Sequence, residues 1–334
     1  MKEIIIGKHR IGTTHPCFVI AEIGSNHDQK IAQAKKMIDA ACRAGADAVK
    51  FQLFRADLLY KPEHPLFKVF KDIEFPRSWL TELLAYCKKK DILFLATPFD
   101  MEAVDLLDKG GCKAFKIASS EVVNLPLLRK VALTGKPVIL STGMSNLAEV
   151  YEAMEVIEQS GNHRVVLLQC SALYPTETAQ IHLRTMDTLR DAFKVPVGFS
   201  DHTLGILFPP IAVARGASVV EKHFTLSRKL PGPDHSYAIE PNELTQMIQN
   251  IRAVEQSLGD SIKKMLPEEK KVVRRESLFA KRNIPKNTII SEEDVVIQRP
   301  ASGIDPRFFK MAVGTKARRS IKAGEPIAWD MLGE

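Results

Sequence analysis

Eight short, nearly continuous apolar runs punctuate the first 225 residues. They are VIAEIG (19–24), AVKFQ (48–52), LFLATPF (93–99), AFKIAS (114–119), PVILSTG (137–143), VVLLQCS (165–171), VPVGFSDH (195–202) and SVVEKHFT (218–225). Apolar residues follow one another instead of alternating with polar ones, the pattern of strands buried on both faces. Between the runs the spacing turns helical. QKIAQAKKMIDAACRAGA opens the series, with Gly45 as its stop; RSWLTELLAYCKKK, MEAVDLLDKG, LPLLRKVALTG and NLAEVYEAMEVIEQSG follow. PNELTQMIQNIRAVEQSLG closes it, with Pro241 in the first turn and Gly259 at the end. Eight strand–helix units over about 250 residues predict an α/β fold, a closed (β/α)8 TIM barrel, in preference to an open doubly wound sheet. Residues 53–76 read as an extended loop.

Beyond Gly259 the pattern changes. SIKKMLPEEKKVVRRES is charged and reads as a linker, giving a barrel over 1–262, a linker over 263–276 and a small β-rich domain over 277–334. That last stretch repeats itself at an offset of 37 residues. Ala280-Lys-Arg-Asn-Ile284 matches Ala317-Arg-Arg-Ser-Ile321, Ile290 falls on Ile327 and Val295 on Leu332. A duplicated β unit is the expectation, and a piece of some 60 residues folds alone only marginally.

In a barrel of this kind the chemistry gathers at the C-terminal ends of the strands. Those ends read Glu22; Lys50 and Gln52; Thr97; Lys116 and Ser119; Ser141 and Thr142; Cys170; Ser200, Asp201 and His202; Lys222 and His223. Polar groups at every end cost stability unless they are used, so the set predicts an active site. His202 and His223 end consecutive strands; they serve either as two ligands of a divalent transition metal or as hydrogen-bonding groups. Lys50 and Lys116 are either Schiff-base nucleophiles or fixed cations for phosphate and carboxylate, and the surrounding hydroxyls favour the second. Gly143, in STG, would let a backbone amide approach a phosphate. Glu22 and Glu121 are candidates for proton transfer, or counter-ions of the lysines. His64, His163 and His182 lie outside these ends and read as surface residues.

The net charge of +7 is uneven: residues 263–334 hold 16 Lys/Arg against 10 Asp/Glu. A basic tail suits nucleic acid or an anionic substrate, but no aromatic-interleaved basic stripe accompanies it, and a solvated face is the simpler reading. The five cysteines are scattered without a CxxC, as expected of reduced thiols in the cytoplasm. The polar N-terminus and the lack of a long apolar run point away from export or a membrane.

AEIGSNH (21–27), VKFQ (49–52), TPF (97–99), YPT (174–176), SDHT (200–203), EKHFT (221–225) and PGPDH (231–235) resemble, in order, the motifs of N-acetylneuraminate (sialic acid) synthases. FAKRNIPKNTI and QRP (298–300) resemble that family's antifreeze-like (SAF) domain. The resemblance extends to legionaminate and pseudaminate synthases and to spore-coat polysaccharide proteins. It implies condensation of phosphoenolpyruvate (PEP) with an N-acylated mannosamine-type sugar. It implies a divalent metal, Mn2+ first with Mg2+ or Co2+ as alternatives, on His202 and His223. PEP contacts would come from Lys50, Thr97, Lys116, Ser119, Ser141 and Ser200, and sugar contacts from Gln52, Tyr174, Asp234 and Arg299. Glu22 and Glu121 would be the essential glutamates. The implied assembly is a homodimer with exchanged SAF domains, with no nucleic acid or membrane partner. Ala172 and Arg275 depart from the family pattern at positions that bear on the sugar. A pseudaminate synthase, another PEP condensation or aldolase, and a silent acidic-sugar-binding protein are the competing readings.

Overall fold

The computed structural model describes residues 3–271 and 274–333. The chain divides into two compact units, Met1–Gly259 and Asp260–Glu334. The first opens with a hairpin absent from the sequence expectation, β1 (Ile4–Ile6) against β2 (His9–Ile11), turning at Gly7 with φ +60°. Eight parallel strands follow: β3 (Phe18–Gly24), β4 (Ala48–Leu53), β5 (Leu93–Pro98), β6 (Phe115–Ile117), β7 (Val138–Ser141), β8 (Val165–Cys170), β9 (Val197–Asp201) and β10 (Val219–His223). They pair in the order β5-β4-β3-β10-β9-β8-β7-β6. β5 and β6 lie side by side without a hydrogen-bonded ladder, and the Cys112 thiol, 3.3 Å from Phe94 O, sits at that seam. The fold is thus the expected (β/α)8 barrel.

A helix follows each strand: Ile31–Ala44, Leu80–Lys89, Met101–Lys109, Leu125–Leu133, Leu147–Gln159, Thr185–Phe193, Phe208–Ala214 and Pro241–Leu258. Their ends follow local chemistry. Gly45 stops the first in the left-handed region at φ +87°, Asp100 caps Met101–Lys109, and Asn146 with Glu149 forms a capping box. Residues 53–76 are not an extended loop. They carry two short helices, Ala56–Leu59 and Phe67–Ile73, too short to show a helical period in the sequence.

Two apolar layers hold the barrel. One lies between strands and helices; the other fills the bore, where Phe18, Ile20, Ala48, Leu95, Ala114, Ile139, Val166, Leu168 and Val219 meet. Ile4, Ile6 and Ile11 of the hairpin belong to the bore cluster, so the hairpin plugs the N-terminal end. Among the described residues no helix is long and apolar enough to cross a membrane.

The second unit takes in the segment expected as a linker, which carries the helix Pro267–Lys271; positions 272 and 273 of that linker lie outside the described residues. Here β11 (Ser277–Ala280) pairs antiparallel with β12 (Val295–Gln298), and β13 (Lys316–Ala317) with β14 (Leu332–Gly333). The 37-residue repeat is visible as structure. Ala280 faces Val295 as Ala317 faces Leu332, and Ile284 and Ile321 exchange two backbone hydrogen bonds across the centre. The unit has its own apolar cluster, including Leu278, Ile290, Ile304 and Ile327.

Candidate functional site

Side chains alternate faces along a strand, so each residue two positions beyond a bore-facing apolar one also faces the bore. From Ile20, Ala48, Leu95, Ala114, Ile139, Leu168 and Val219 that step reaches Glu22, Lys50, Thr97, Lys116, Ser141, Cys170 and Glu221. Gly198 leads to Ser200 in the same way. Gly198 itself has no room for a side chain, since a Cβ there would stand 2.3 Å from Val219 O. The bore is therefore greasy below and polar above.

The polar layer is one connected network. Lys50 Nζ lies 2.9 Å from Glu22 Oε1 and 3.8 Å from Glu221 Oε2, and donates to Thr97 Oγ1 at 3.2 Å. Lys116 Nζ stands 3.6 Å from Glu221 Oε1 and donates to Ser141 Oγ at 2.7 Å and Ile117 O at 3.1 Å. Ser200 Oγ donates to Glu221 Oε1 at 3.0 Å. All six charged and hydroxyl groups around Glu221 are buried. Burial alone would raise the Glu221 carboxyl, but Lys116 and Lys50 outweigh it and hold it below the usual range. Glu22 goes the other way. Burial lifts it well above the usual carboxylate range, against the pull of Lys50 and with the push of Glu221. Burial disfavours the Lys50 ammonium, yet Glu22 and Glu221 outweigh it and raise its pKa; for Lys116 burial prevails and the pKa falls, Glu221 only partly compensating. Two ammonium groups, one firm carboxylate and one carboxyl poised for protonation make a floor suited to an anion.

Above this floor stand His202 and His223, their ring centroids 5.4 Å apart. Tyr174 covers His202 at 4.1 Å, and Tyr237 packs on His223 at 5.1 Å. Burial pushes His202 down to about 3, with His223 adding to the effect, and pushes His223 to about 4, so both rings are neutral near pH 7. His202 Nδ1 lies 2.6 Å from Ser171 O. Only a protonated Nδ1 makes that contact, which assigns the tautomer and leaves Nε2 as a free donor of its lone pair. Asp234 is held from three directions: Ser25 Oγ at 2.8 Å, Ser25 N at 3.3 Å and Tyr237 OH at 2.8 Å. Gln52 Nε2 donates to Glu22 Oε1 at 2.8 Å.

The donor set suits a divalent metal. Two neutral imidazoles are borderline-soft ligands, and Glu22, the ladder neighbour of His223, has an Oε2 with no hydrogen-bond partner among the described residues. Among the described residues no three His, Cys, Asp or Glu side chains converge as a closed metal cage. His202 Nε2 and His223 would thus be a partial shell, its other positions left to water or substrate.

Other members of the strand-end set do different work. Asp201 and Lys222 face outward and pair with each other at 2.7 Å, both fully buried. Thr142 Oγ1 donates to Leu168 O. The Gly143 amide is not free for a phosphate: it donates to Ser119 Oγ at 2.9 Å, and a Cβ at Gly143 would meet that same oxygen at 2.9 Å. Glu121 accepts from Asn124 Nδ2 at 2.8 Å and Ser120 Oγ at 3.2 Å and lines the mouth of the bore with Ser119. Arg299 belongs to the second unit and is exposed just past β12. His64, His163 and His182 are exposed. Sequence reasoning missed Glu221, Ser25 and Tyr237. For Glu221 the signal was available, since it sits two residues before His223 and shares its face; Ser25 and Tyr237 are loop residues with no such pattern.

A model of the NeuB family matches residues 37–263 and a model of the SAF domain matches residues 275–333. The chain is 41% identical over 327 residues to an N,N'-diacetyllegionaminic acid synthase of Campylobacter jejuni, covering 92% of this chain and 98% of that one. Among solved structures, an N-acetylneuraminic acid synthetase from Leptospira borgpetersenii, in complex with citrate, superposes with a TM-score of 0.77 at 34% identity, over 81% of this chain and 95% of that one. The spore coat polysaccharide biosynthesis protein SpsE of Bacillus subtilis gives a TM-score of 0.71 at 37% identity, over 100% and 99%.

Proposed function

Because the chain belongs to the NeuB family, whose relatives are sugar-acid synthases, we propose that it condenses PEP with the open-chain aldehyde of an N-acylated mannosamine-type sugar, releasing phosphate and a nine-carbon sugar acid. The observation that carries this reading is the buried floor of Lys50, Lys116, Glu22 and Glu221 beneath paired neutral imidazoles. With Glu22 protonated that floor holds a net positive charge, which favours an anion carrying phosphate and carboxylate. Lys50 and Lys116 fix those groups, with Thr97 and Ser141 as hydroxyl partners. The ionised Glu221 carboxylate, 3.8 Å from Lys50 Nζ, favours the Lys50 ammonium and argues for a fixed cation over a Schiff-base nucleophile. Asp234, Gln52 and Tyr174 orient the sugar in this reading. A divalent cation, Mn2+ foremost, held by His202 Nε2 and His223 would supply polarisation of the acceptor's aldehyde oxygen.

In the reaction the C3 carbon of PEP attacks the aldehyde carbon, water adds at C2 of PEP, and phosphate leaves from the tetrahedral centre by C–O cleavage. Glu22, with its raised carboxyl, is suited to carry a proton between water and product near neutral pH. The active assembly proposed is a homodimer, with the SAF domain of one chain reaching the barrel mouth of the other.

The test is phosphate release from PEP with Mn2+ and a panel of N-acylated hexosamines, the product identified by mass. The expected product is the acceptor plus a three-carbon acid. No release with any acceptor, or a lysine adduct trapped by borohydride, would overturn the reading.

A further inference from the structure

The stretch from 226 to 236, between β10 and the helix Pro241–Leu258, has no helix or strand of its own, yet it carries Asp234. Pro231, Gly232, Pro233 and Ser236 are exposed, and His235 is the one residue of the stretch that is buried, at 1%. Both of its ring nitrogens are engaged. Nε2 donates to Asp28 Oδ1 at 2.8 Å, and Nδ1 meets Thr225 Oγ1 at 2.6 Å. Asp28 lies in the turn after β3 and Thr225 just beyond β10, so one ring ties the stretch to two strand ends. Gly232 packs against that ring, where a Cβ would stand 2.9 Å from His235 Cδ2.

Asp28 is itself in a costly conformation. Its φ is +49° and that of Gln29 is +54°, two left-handed residues in succession without a glycine. Such a turn persists only where its surroundings over-determine it. Here Gln33 Nε2 donates to Asp28 Oδ2 at 2.5 Å, and His235 takes the other oxygen. The same turn holds Asp234 through Ser25. Asp234 thus lines the cavity while the next residue is driven into the barrel wall. A hydroxyl, an imidazole and a carboxylate in line also serve nucleophilic catalysis. That use is closed to them, because Thr225 has no exposure and stands outside the lining of the cavity.

We propose that His235 is a positioning residue for the acceptor: bonded to Asp28 and Thr225, it fixes the backbone of Asp234 so that the neighbouring carboxylate meets the sugar. The inference rests on the condensation reading. Ser25 and Tyr237 orient the carboxylate, and His235 sets where its backbone stands. Misplacing a substrate-holding group by about 1 Å costs on the order of 100-fold. PEP, held on the floor by Lys50 and Lys116, is left untouched.

The test measures KM for acceptor and for PEP in wild type, His235→Leu and His235→Gln, with Mn2+. The acceptor is whichever of N-acetylmannosamine and 2,4-diacetamido-2,4,6-trideoxymannose wild type condenses faster. His235→Leu fills the space without a donor and should raise the acceptor KM roughly tenfold or more, with the KM for PEP within about twofold. His235→Gln restores a donor to Asp28 and should recover about threefold of that rise or more. Where His235→Leu does not fold, Asp28→Asn decides. It keeps a residue that tolerates the left-handed turn, weakens the bond to the ring, and should raise the acceptor KM about threefold with PEP unchanged. An unchanged acceptor KM in the deciding variant, or equal rises for PEP and acceptor, overturns the inference and leaves the condensation standing. A glutamine variant no better than the leucine one also overturns it. Absence of phosphate release from wild type with both acceptors removes the condensation reading, and the inference with it.

Discussion

Lys222 offers the sharpest separation of structure from chemistry, because it sits beside His223 yet faces away from the bore. Its Nζ lies 2.7 Å from Asp201 Oδ2 and also meets Thr203 O, and neither side chain has more than 1% exposure. Lys222→Met leaves the Asp201 carboxylate buried without a countercharge, which costs about 3–5 kcal/mol. At ~2–4 °C per kcal/mol for a barrel of this size, Tm should fall by roughly 6–20 °C. Adding Asp201→Asn removes the stranded charge while keeping an acceptor for the Thr203 N–H, now bonded at 2.9 Å. The double variant should return to within about 2 kcal/mol of wild type, recovering roughly 1–3 kcal/mol of the single variant's loss. Thermal melts followed by circular dichroism measure the recovery, and phosphate release below the lowered Tm measures function. Since strand alternation turns this pair outward, kcat/KM of the folded single variant should stay within about threefold of wild type. A variant that melts like wild type but has lost phosphate release would place Lys222 in the bore and refute the alternation argument.

Glu221→Gln strips Lys116 of its ion-pair partner and should lower kcat/KM for PEP by roughly 30- to 150-fold, about 2–3 kcal/mol, as steady-state kinetics would read; an unchanged value would deny Glu221 any part in the floor. Gly24 has φ +55°, and a Cβ there would stand 2.9 Å from Asp234 Oδ2. Gly24→Ala should therefore cost about 1–2 kcal/mol and raise the KM for the acceptor but not for PEP; a rise confined to PEP contradicts the placement of Asp234. His27, 1% exposed, packs against Phe75 and Trp79, and its Nδ1 accepts from Gln29 N–H at 3.2 Å. Burial lowers its pKa to about 4, so the folded state favours the neutral ring. The stability this gives is complete above the unfolded value near pH 6.5 and is lost as pH falls toward 4, amounting to about 2 kcal/mol by pH 5. Urea titrations at pH 8 and pH 5 should show His27→Asn losing that much less than wild type; equal losses would disprove the assignment.

The barrel was legible because its eight strands are buried on both faces and so read as unbroken apolar runs. Two helices left no such trace. Thr185–Phe193 ends on Lys194 in the left-handed region at φ +56°, with no glycine to mark the stop. Phe208–Ala214 carries Pro209 and Pro210 in its first turn, where proline is tolerated but reads as a break. The site was legible as a set of strand ends, and most of that set does gather in the bore. Reading ends without reading alternation admitted Asp201, Lys222 and Thr142 and passed over Glu221. The 37-residue repeat was legible because paired positions recur in both halves: Ile284 with Ile321 makes the contact that two copies of one unit make with each other.

The central claim is that Lys50 and Lys116 hold the anionic substrate against the buried carboxylates. Calorimetric titration of PEP alone, without acceptor, into wild type and into a folded Lys116→Met variant tests it directly. The account predicts saturable binding to wild type that weakens at least tenfold in the variant. PEP binding of equal affinity in both proteins would contradict it.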